Sequence, residues 1–353
     1  MKLNYGIIGT GMMGCEHIRN LKKIPDVSIV AIADPNEESR TWALKSCEDK
    51  FKIRLYEDYK ELLAEKDIDV IVVASPNFTH IEIMRELFKT DKHVLLEKPM
   101  CTTLPDSLEV LKKSKEHGGL VWIGLEYRFM SPIQSLIKHI EEIGDIKMLS
   151  IREHRFPFLE KVDNWNRFNE NTGGTLVEKC CHFFDLMNLI VPSKPIKVYA
   201  SGGQDVNHLD EKYDGKTPDV IDNSFVIVDY QDGQRAMLDL CMFAEAGKYE
   251  QEIVLTGDQG KLETHIPGNE LLLTNRKNYS LKTIEVKDDP RVKEVGFHHG
   301  ASYIEHLELI DCIKNKKKPL VDCQKGLDSI ILGLAAQESI QTGEPVFLEN
   351  FLN

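Results

Sequence analysis

The sequence predicts an α/β protein of two domains: a doubly wound parallel sheet, then an α+β domain with a large, mostly antiparallel open sheet. Three observations carry this. Short apolar runs rich in Ile and Val alternate with amphipathic helical stretches over residues 1–125 of the 353. A glycine-rich turn, Gly9-Thr10-Gly11-Met12-Met13-Gly14, follows the first run and opens a helix. After Arg128 the pattern changes to period-two runs joined by tight-turn signals. Continuous apolar strands separated by helices are covered on both faces, as parallel sheets are. Successive hairpins build an antiparallel sheet instead.

In order, the strand-like runs of the first domain are Tyr5–Gly9, Val27–Asp34, Val70–Ser75, His93–Glu97 and Leu120–Gly124. Between and after them lie helical patterns at Cys15–Lys23, Glu37–Cys47, Asp58–Glu65, Thr79–Lys89 and Leu104–His117. The change of pattern sets the expected domains at 1–125 and 126–353, in keeping with roughly 100–200 residues per domain. In the second domain the spacing predicts helices over Ile133–Ile143 and, after Gly173-Gly174, over Leu176–Leu189. Strands are expected at Phe225–Tyr230, Arg235–Cys241, Glu252–Thr256 and Lys261–Thr264. Asp232-Gly233 marks a hairpin between the first two, and Gly257–Gly260 a turn between the last two. Helices at Tyr303–Lys314 and Gly326–Thr342 close the chain; the basic run Lys314–Lys318 is accounted for by the preference of cations for a helix C-terminus. Asp205–Pro218 is the best candidate for a flexible loop.

Composition narrows the function classes. The 44 Lys+Arg against 57 Asp+Glu leave a formal net charge of −13, which argues against an electrostatic grip on nucleic acid or anionic membrane. With 42% apolar and 29% charged residues the chain is too apolar for a disordered one. No apolar run reaches the ~18–20 residues that span a bilayer. The start, MKLNYGIIGTG, enters a strand at once, without the apolar stretch and cleavage site of a signal peptide. Eight scattered cysteines lack any CxxC pair, which suits reduced thiols, a cytoplasmic location and no metal site.

Two sets of residues point to chemistry. In the glycine turn, the first glycine allows a sharp bend, the second lets backbone N–H groups approach a pyrophosphate, and the third allows close helix–strand packing. Asp34 ends the second strand, twenty residues after Gly14, where a carboxylate accepts from adenosine ribose hydroxyls. That carboxylate would repel a 2′-phosphate, so NAD is expected over NADP, with Arg40 the residue able to tolerate NADP. The alternative role for Asp34 is to cap the turn that follows. Further on, Glu178 and His182 stand four apart on a predicted helix and share a face, with Asp185 close by. A carboxylate beside an imidazole fixes its tautomer and raises its basicity, which suits a general base. Cys180-Cys181-His182 cannot converge on one metal ion, because adjacent helical residues point about 100° apart.

Nearly end to end, the chain resembles the glucose–fructose oxidoreductase, inositol dehydrogenase and MocA family. The resemblance rests on GIIGTGMMG, on SPNFTHIEIM (Ser75–Met84), LLEKPMCTT (Leu95–Thr103) and EYRFMSP (Glu126–Pro132), and on TGGTLVEKCCHFFDL (Thr172–Leu186) and LTGDQGKLE (Leu255–Glu263). It implies an N-terminal Rossmann domain and a catalytic Lys98, preceding a cis Pro99. It also implies a cofactor crevice lined by Ser75, Pro76, Asn77, His80, Glu97, Arg128 and Trp165, besides the glycine turn and Asp34. His182 takes the family's acid/base place and Glu178 stands where the family has Asp. Tyr127, His154, Trp165, Arg167, His299 and Tyr303 fall where relatives meet substrate. Glu178 adds a methylene, and Lys179-Cys180-Cys181 replaces small residues. By this resemblance the protein is expected to oxidise a secondary hydroxyl of a cyclic polyol or sugar, with NAD. A redox-assisted glycosidase or lyase, or a dinucleotide-dependent sugar sensor, is the alternative. A homodimer or homotetramer through the C-terminal sheet is expected.

Overall fold

A computed structural model describes residues 2–48 and 50–351. Its contacts divide the chain into two units, Met1–Phe129 with Lys161–Trp165 and Pro290–Ile330, and Met130–Glu160 with Asn166–Asp289 and Ile331–Asn353.

In the first unit, β1 (Leu3–Ile8), β2 (Val27–Ala33), β3 (Arg54–Tyr56), β4 (Val70–Val73), β5 (His93–Glu97) and β6 (Val121–Gly124) form one sheet in the order β3-β2-β1-β4-β5-β6. All its pairings are parallel. This is the doubly wound order, and β1 and β4 flank the point where it reverses. All four residues of β4 are buried, which explains why a continuous VIVV run announces it. β3 is absent from the sequence reading because its three residues are an edge with no fully buried side chain. The helix Glu37–Cys47 starts where Asn36 accepts the Ser39 N–H at 2.9 Å, and Leu104–Ser114 where Thr103 caps Asp106. The helix Met12–Lys23 is different: Gly11 at its N-cap offers no side chain, its first turn holds no acid, and Lys22 and Lys23 occupy the last turn. Its leading N–H groups and positive dipole end are therefore left for an anion. The later segment joins this unit through the Ile123 N–H bond to the Val321 carbonyl (3.0 Å) and through the helix Ala301–Lys314, whose Glu305 accepts the Trp122 indole N–H (2.9 Å).

The second unit carries nine strands: β7 (Ile146–His154), β8 (Pro195–Gly203), β9 (Asn223–Tyr230), β10 (Arg235–Cys241), β11 (Gln251–Gly257), β12 (Gly260–Ile266), β13 (Glu270–Asn275), β14 (Ser280–Glu285) and β15 (Val346–Phe347). Their order is β14-β13-β12-β11-β7-β10-β9-β8-β15, antiparallel except for the central β7–β10 pair. The β9–β10 hairpin turns at Gly233, whose φ is +88°. One face is packed: Val198, Val226, Val228, Leu238, Leu149, Ile151, Ile253 and Leu255 are all buried. Five of these strands escape the sequence reading. β7 hides because Met148 breaks the alternation with an apolar residue on the open side, and β14 because its side chains are almost all exposed.

Two expected helices divide. The stretch 133–143 becomes the α-helix Ser131–Lys138 and a single 3₁₀ turn, Ile140–Ile143. The stretch 176–189 becomes Thr175–Glu178 and Cys181–Ile190. At the second break the Cys180 N–H reaches back five residues to the Thr175 carbonyl (3.4 Å), a π-type turn that interrupts the ladder. The loop at 205–218 is irregular, as expected, yet tethered. Asp222 accepts the N–H groups of Asp205, Val206 and Asn207 (3.1, 2.8 and 2.7 Å), and Glu211 pairs with Arg167. Among the described residues no helix is long and apolar enough to cross a membrane.

Candidate active site

The glycine turn does what its spacing requires. Gly9 has φ +84°, and a Cβ there would lie 2.5 Å from the Ser75 nitrogen, so the turn runs tight against the chain leaving β4. A Cβ on Gly14 would strike the Gly9 carbonyl oxygen, which is the close helix–strand packing the third glycine permits. A Cβ on Gly11 would meet nothing within 4 Å. That open space lies over the uncapped helix start, and it fits a dinucleotide's pyrophosphate.

Asp34 holds the turn as well as ending β2. Its Oδ2 accepts the Thr10 N–H (2.7 Å) and hydroxyl (3.1 Å), and its Oδ1 accepts the Asn36 N–H (2.9 Å). Of the two roles weighed from sequence, these bonds show the cap of the following turn, and a carboxylate's about four acceptor sites leave capacity for further donors. Arg40 donates to the carbonyls of Asp34 (2.6 Å) and Pro35 (3.1 Å) and to Glu57 (3.1 Å). It is held by the backbone beside Asp34, with its charge already met.

Ser75, Pro76 and Asn77 leave β4 on this same edge, Asn77 buried. The buried His80 places its ring nitrogens 2.9 Å from the Pro99 carbonyl and 3.1 Å from that of Ser75, tying this loop to the one after β5. Trp165 packs edge-on against Phe78, with ring centroids 6.3 Å apart. Lys98 is half-buried directly after β5, and the Lys98–Pro99 bond is cis, as the resemblance implies. Tyr127 and Arg128 lie buried in the 3₁₀ turn after β6. Tyr303 is buried on the helix Ala301–Lys314, and burial raises its hydroxyl pKa. His299 is exposed, at φ +52°.

Behind Lys98 the structure gathers, around the Glu97 already expected in the crevice, groups that sequence reasoning missed: Glu16, His17, Glu126 and His298. Glu97 is buried against His17 (2.7 Å); burial pushes its carboxyl up, but the His17 hydrogen bond, with the charges of Lys98 and His298, outweighs this and holds it below the usual range. Burial raises Glu126 to about 7, with the Glu97 charge adding to the effect. His298 stands between Glu16 and Glu126, 3.3 Å from each; those carboxylates overcome its desolvation and raise its pKa. Only their placement across β1, β5, β6 and a segment some 280 residues later makes these groups neighbours, and no local spacing signals that.

In the second unit Glu178 ends its short helix, and His182 and Asp185 lie in the next, all three buried. The single helix expected to carry them is broken by the π-type turn between Glu178 and His182, so four-residue spacing does not by itself put these two on one face. The buried Lys179 pairs with the buried Glu153 (3.0 Å), to which Gln251 also donates (2.6 Å). His154 follows Glu153 along β7, so its side chain leaves from the opposite face of the sheet. There it meets Asp239 at 3.0 Å. The structure does not bring His154 to the face that Glu153 shares with Lys179. Arg167 is buried and bonded to Glu211 (3.0 Å).

Comparison with known proteins places this geometry. Residues 3–125 match the family described as oxidoreductase family, NAD-binding Rossmann fold, and residues 137–348 match its C-terminal alpha/beta domain. The chain is 27% identical to a myo-inositol 2-dehydrogenase of Thermotoga maritima, over 99% of this chain and 100% of the other. It is 24% identical to a 2,7-anhydro-N-acetylneuraminate hydratase of Escherichia coli, over 82% and 76%. In fold it is similar to a levoglucosan dehydrogenase solved with NADH and levoglucosan (TM-score 0.86, 19% identity, 99% and 100% covered).

Proposed function

The chain belongs to the glucose–fructose oxidoreductase, inositol dehydrogenase and MocA family of NAD-binding oxidoreductases, and from that premise we propose that it oxidises a secondary hydroxyl of a cyclic polyol or sugar to a ketone. The observation that carries this reading is Lys98, a half-buried ammonium at the C-terminal edge of the NAD-binding sheet, backed by a carboxylate held in its ionised form. Ligands of doubly wound sheets bind along that edge.

Bound at the glycine turn and Asp34, NAD supplies the hydride acceptor. Everything else falls to side chains of this protein. Lys98 stabilises the negative charge that grows on the substrate oxygen, which is worth most where water is excluded. His182 takes the hydroxyl proton, and Glu178 orients its ring. Asn77, His80, Arg128 and Trp165 shape the cofactor crevice, and Tyr127, His299 and Tyr303 are assigned to the substrate. Arg167 already has its counter-charge in Glu211, which favours an uncharged, hydroxyl-rich ligand over an acidic sugar. His154, on the open face, is left out of the substrate set.

The test is NADH absorbance on adding NAD or NADP to a panel of inositols, aldoses, anhydrosugars and glycosides. Turnover with NAD on one of these classes is expected, and turnover with NADP alone would defeat the assignment of Asp34. The relative named a hydratase keeps a second reading open, in which oxidation is transient. That reading predicts product without net NADH and a cofactor released on denaturation. A sensor need not retain Lys98 and His182, so their presence weighs against that reading.

We further infer that the open face of the nine-stranded sheet meets a second copy of the chain. Met237, Ile227 and Tyr199 are in register across β10, β9 and β8, with Phe225 and Met148 on the same side, and all five are exposed. An apolar patch of this kind is a liability unless covered. Light scattering should give a mass of at least two chains at micromolar concentration, and Phe225→Asp should shift it toward one. A single-chain mass for the unaltered protein would end the inference.

A further inference from the structure

A chain of buried groups runs back from the carboxylate behind Lys98, and its two histidines have no part in the reaction proposed above. Glu97 Oε1 lies 2.7 Å from His17 Nε2, and His17 Nδ1 lies 2.9 Å from His306 Nε2. The second Glu97 oxygen accepts the Lys98 N–H at 3.1 Å. All three side chains are sealed from solvent. His306 meets the rings of His17 and Tyr5 edge to face, at centroid distances of 5.0 and 6.1 Å. The helix that follows the glycine turn, β5 and the helix Ala301–Lys314 each supply one member.

The partners fix where the protons sit. A carboxylate only accepts, so His17 Nε2 carries hydrogen toward Glu97. The two facing ring nitrogens share one proton. If His17 holds it, His17 is a cation that cancels Glu97, and His306 must put its remaining hydrogen on Nδ1, a buried atom with no hydrogen-bond partner. An N–H orphaned in that way is costly. If His306 holds it, both rings are neutral, and burial, which keeps His306 well below the usual histidine range, favours its uncharged form. Glu97 then keeps its full negative charge.

We propose that Glu97, His17 and His306 form a positioning chain that holds one fixed negative charge on the backbone N–H of Lys98 and thereby sets the pH at which the Lys98 side chain loses its proton. This rests on the reading of Lys98 as the group that stabilises substrate charge. The other charged and titratable groups facing this core do not duplicate Glu97. Burial pushes Glu305 well above the carboxylate range and toward its neutral form, while Glu126, raised to about 7, faces His298 at 3.3 Å. Glu16 is engaged by His298, Ser302 and the Phe297 N–H. Arg128 acts on Glu305, and His80 is spent on two carbonyls.

The test reads Lys98 directly, by competitive acetylation of the whole protein across pH with peptide mass spectrometry, which needs no substrate. Glu97→Gln should lower the Lys98 titration midpoint by about one pH unit or more, the usual effect of losing an opposite charge at close range. His306→Phe removes the donor to His17 and should lower the midpoint in the same direction. His306→Gln, which keeps a side-chain N–H, should return it toward the wild-type value. An unmoved midpoint in Glu97→Gln, or equal midpoints in the two His306 variants, would overturn the proposal. If His306→Phe fails to fold, Glu97→Gln and His306→Gln still decide it. Where the midpoint moves but the pH profile of kcat/KM does not follow, the chain stands and the role given to Lys98 falls.

Discussion

Lys98→Met is expected to lower kcat by about 10²–10⁴-fold while the NADH dissociation constant stays within about threefold of the unaltered protein's. The size is that of removing a preorganised charge or proton-handling group from a site that excludes water. The split follows from where things sit. The pyrophosphate cradle is built by Gly9, Gly11 and the uncapped helix Met12–Lys23, all of which follow β1, whereas Lys98 follows β5. Methionine keeps the length and apolar stem of lysine and loses only the ammonium, so packing changes little. Steady-state turnover and NADH fluorescence titration together check both halves. Retained turnover would remove Lys98 from the mechanism, whereas a joint loss of turnover and cofactor affinity would point to a damaged fold.

Gly9→Ala and Gly11→Ala should separate in opposite ways. At Gly9 a methyl group collides with the backbone of Ala74 and Ser75, at 2.6 and 2.5 Å, and φ +84° is strained for any L side chain. The conformational cost alone is roughly 1–2 kcal/mol. With the steric displacement, a loss of about 3 kcal/mol or more in urea unfolding is expected, along with weaker NAD binding. At Gly11 the added methyl meets no protein atom and φ is −68°, so stability should hold within about 0.5 kcal/mol. There the methyl projects into the space assigned to the pyrophosphate. NAD affinity should fall by about tenfold or more, because a charge-assisted hydrogen bond from the backbone to phosphate can no longer close. Equal NAD affinities for Gly11→Ala and the unaltered protein would move the cofactor away from this turn.

The sequence revealed most where burial is local. β4 is readable because every residue of VIVV is buried, and the glycine turn because its three glycines keep a fixed spacing, the third answering the Gly9 carbonyl five residues before it. The reading failed where the structure depends on partners far along the chain. β7 and β8 take their places by pairing with β10 and β9, not from their own patterns. Glu178 and His182 were expected on one helix, and the π-type turn that breaks it between them has no signature that spacing can show. His17 looked like one more residue of a dinucleotide helix, because His306, which gives it meaning, is 289 positions away. The Asp239 partner of His154 is likewise 85 positions away and is set by strand pairing, not by local spacing.

The bonds of Asp34 bear on any attempt to redesign this protein for a different coenzyme. The usual first step, exchanging the acidic residue at the end of β2 to admit a 2′-phosphate, would here also release Thr10, whose N–H and hydroxyl both rest on that carboxylate. Coenzyme preference and the shape of the phosphate loop are therefore not independent traits in this chain. A single exchange at Asp34 would loosen the grip on both coenzymes before it favoured either one. A successful switch would need a replacement acceptor for Thr10 and, in the same round, the release of Arg40 from the carbonyls and Glu57 that now hold it.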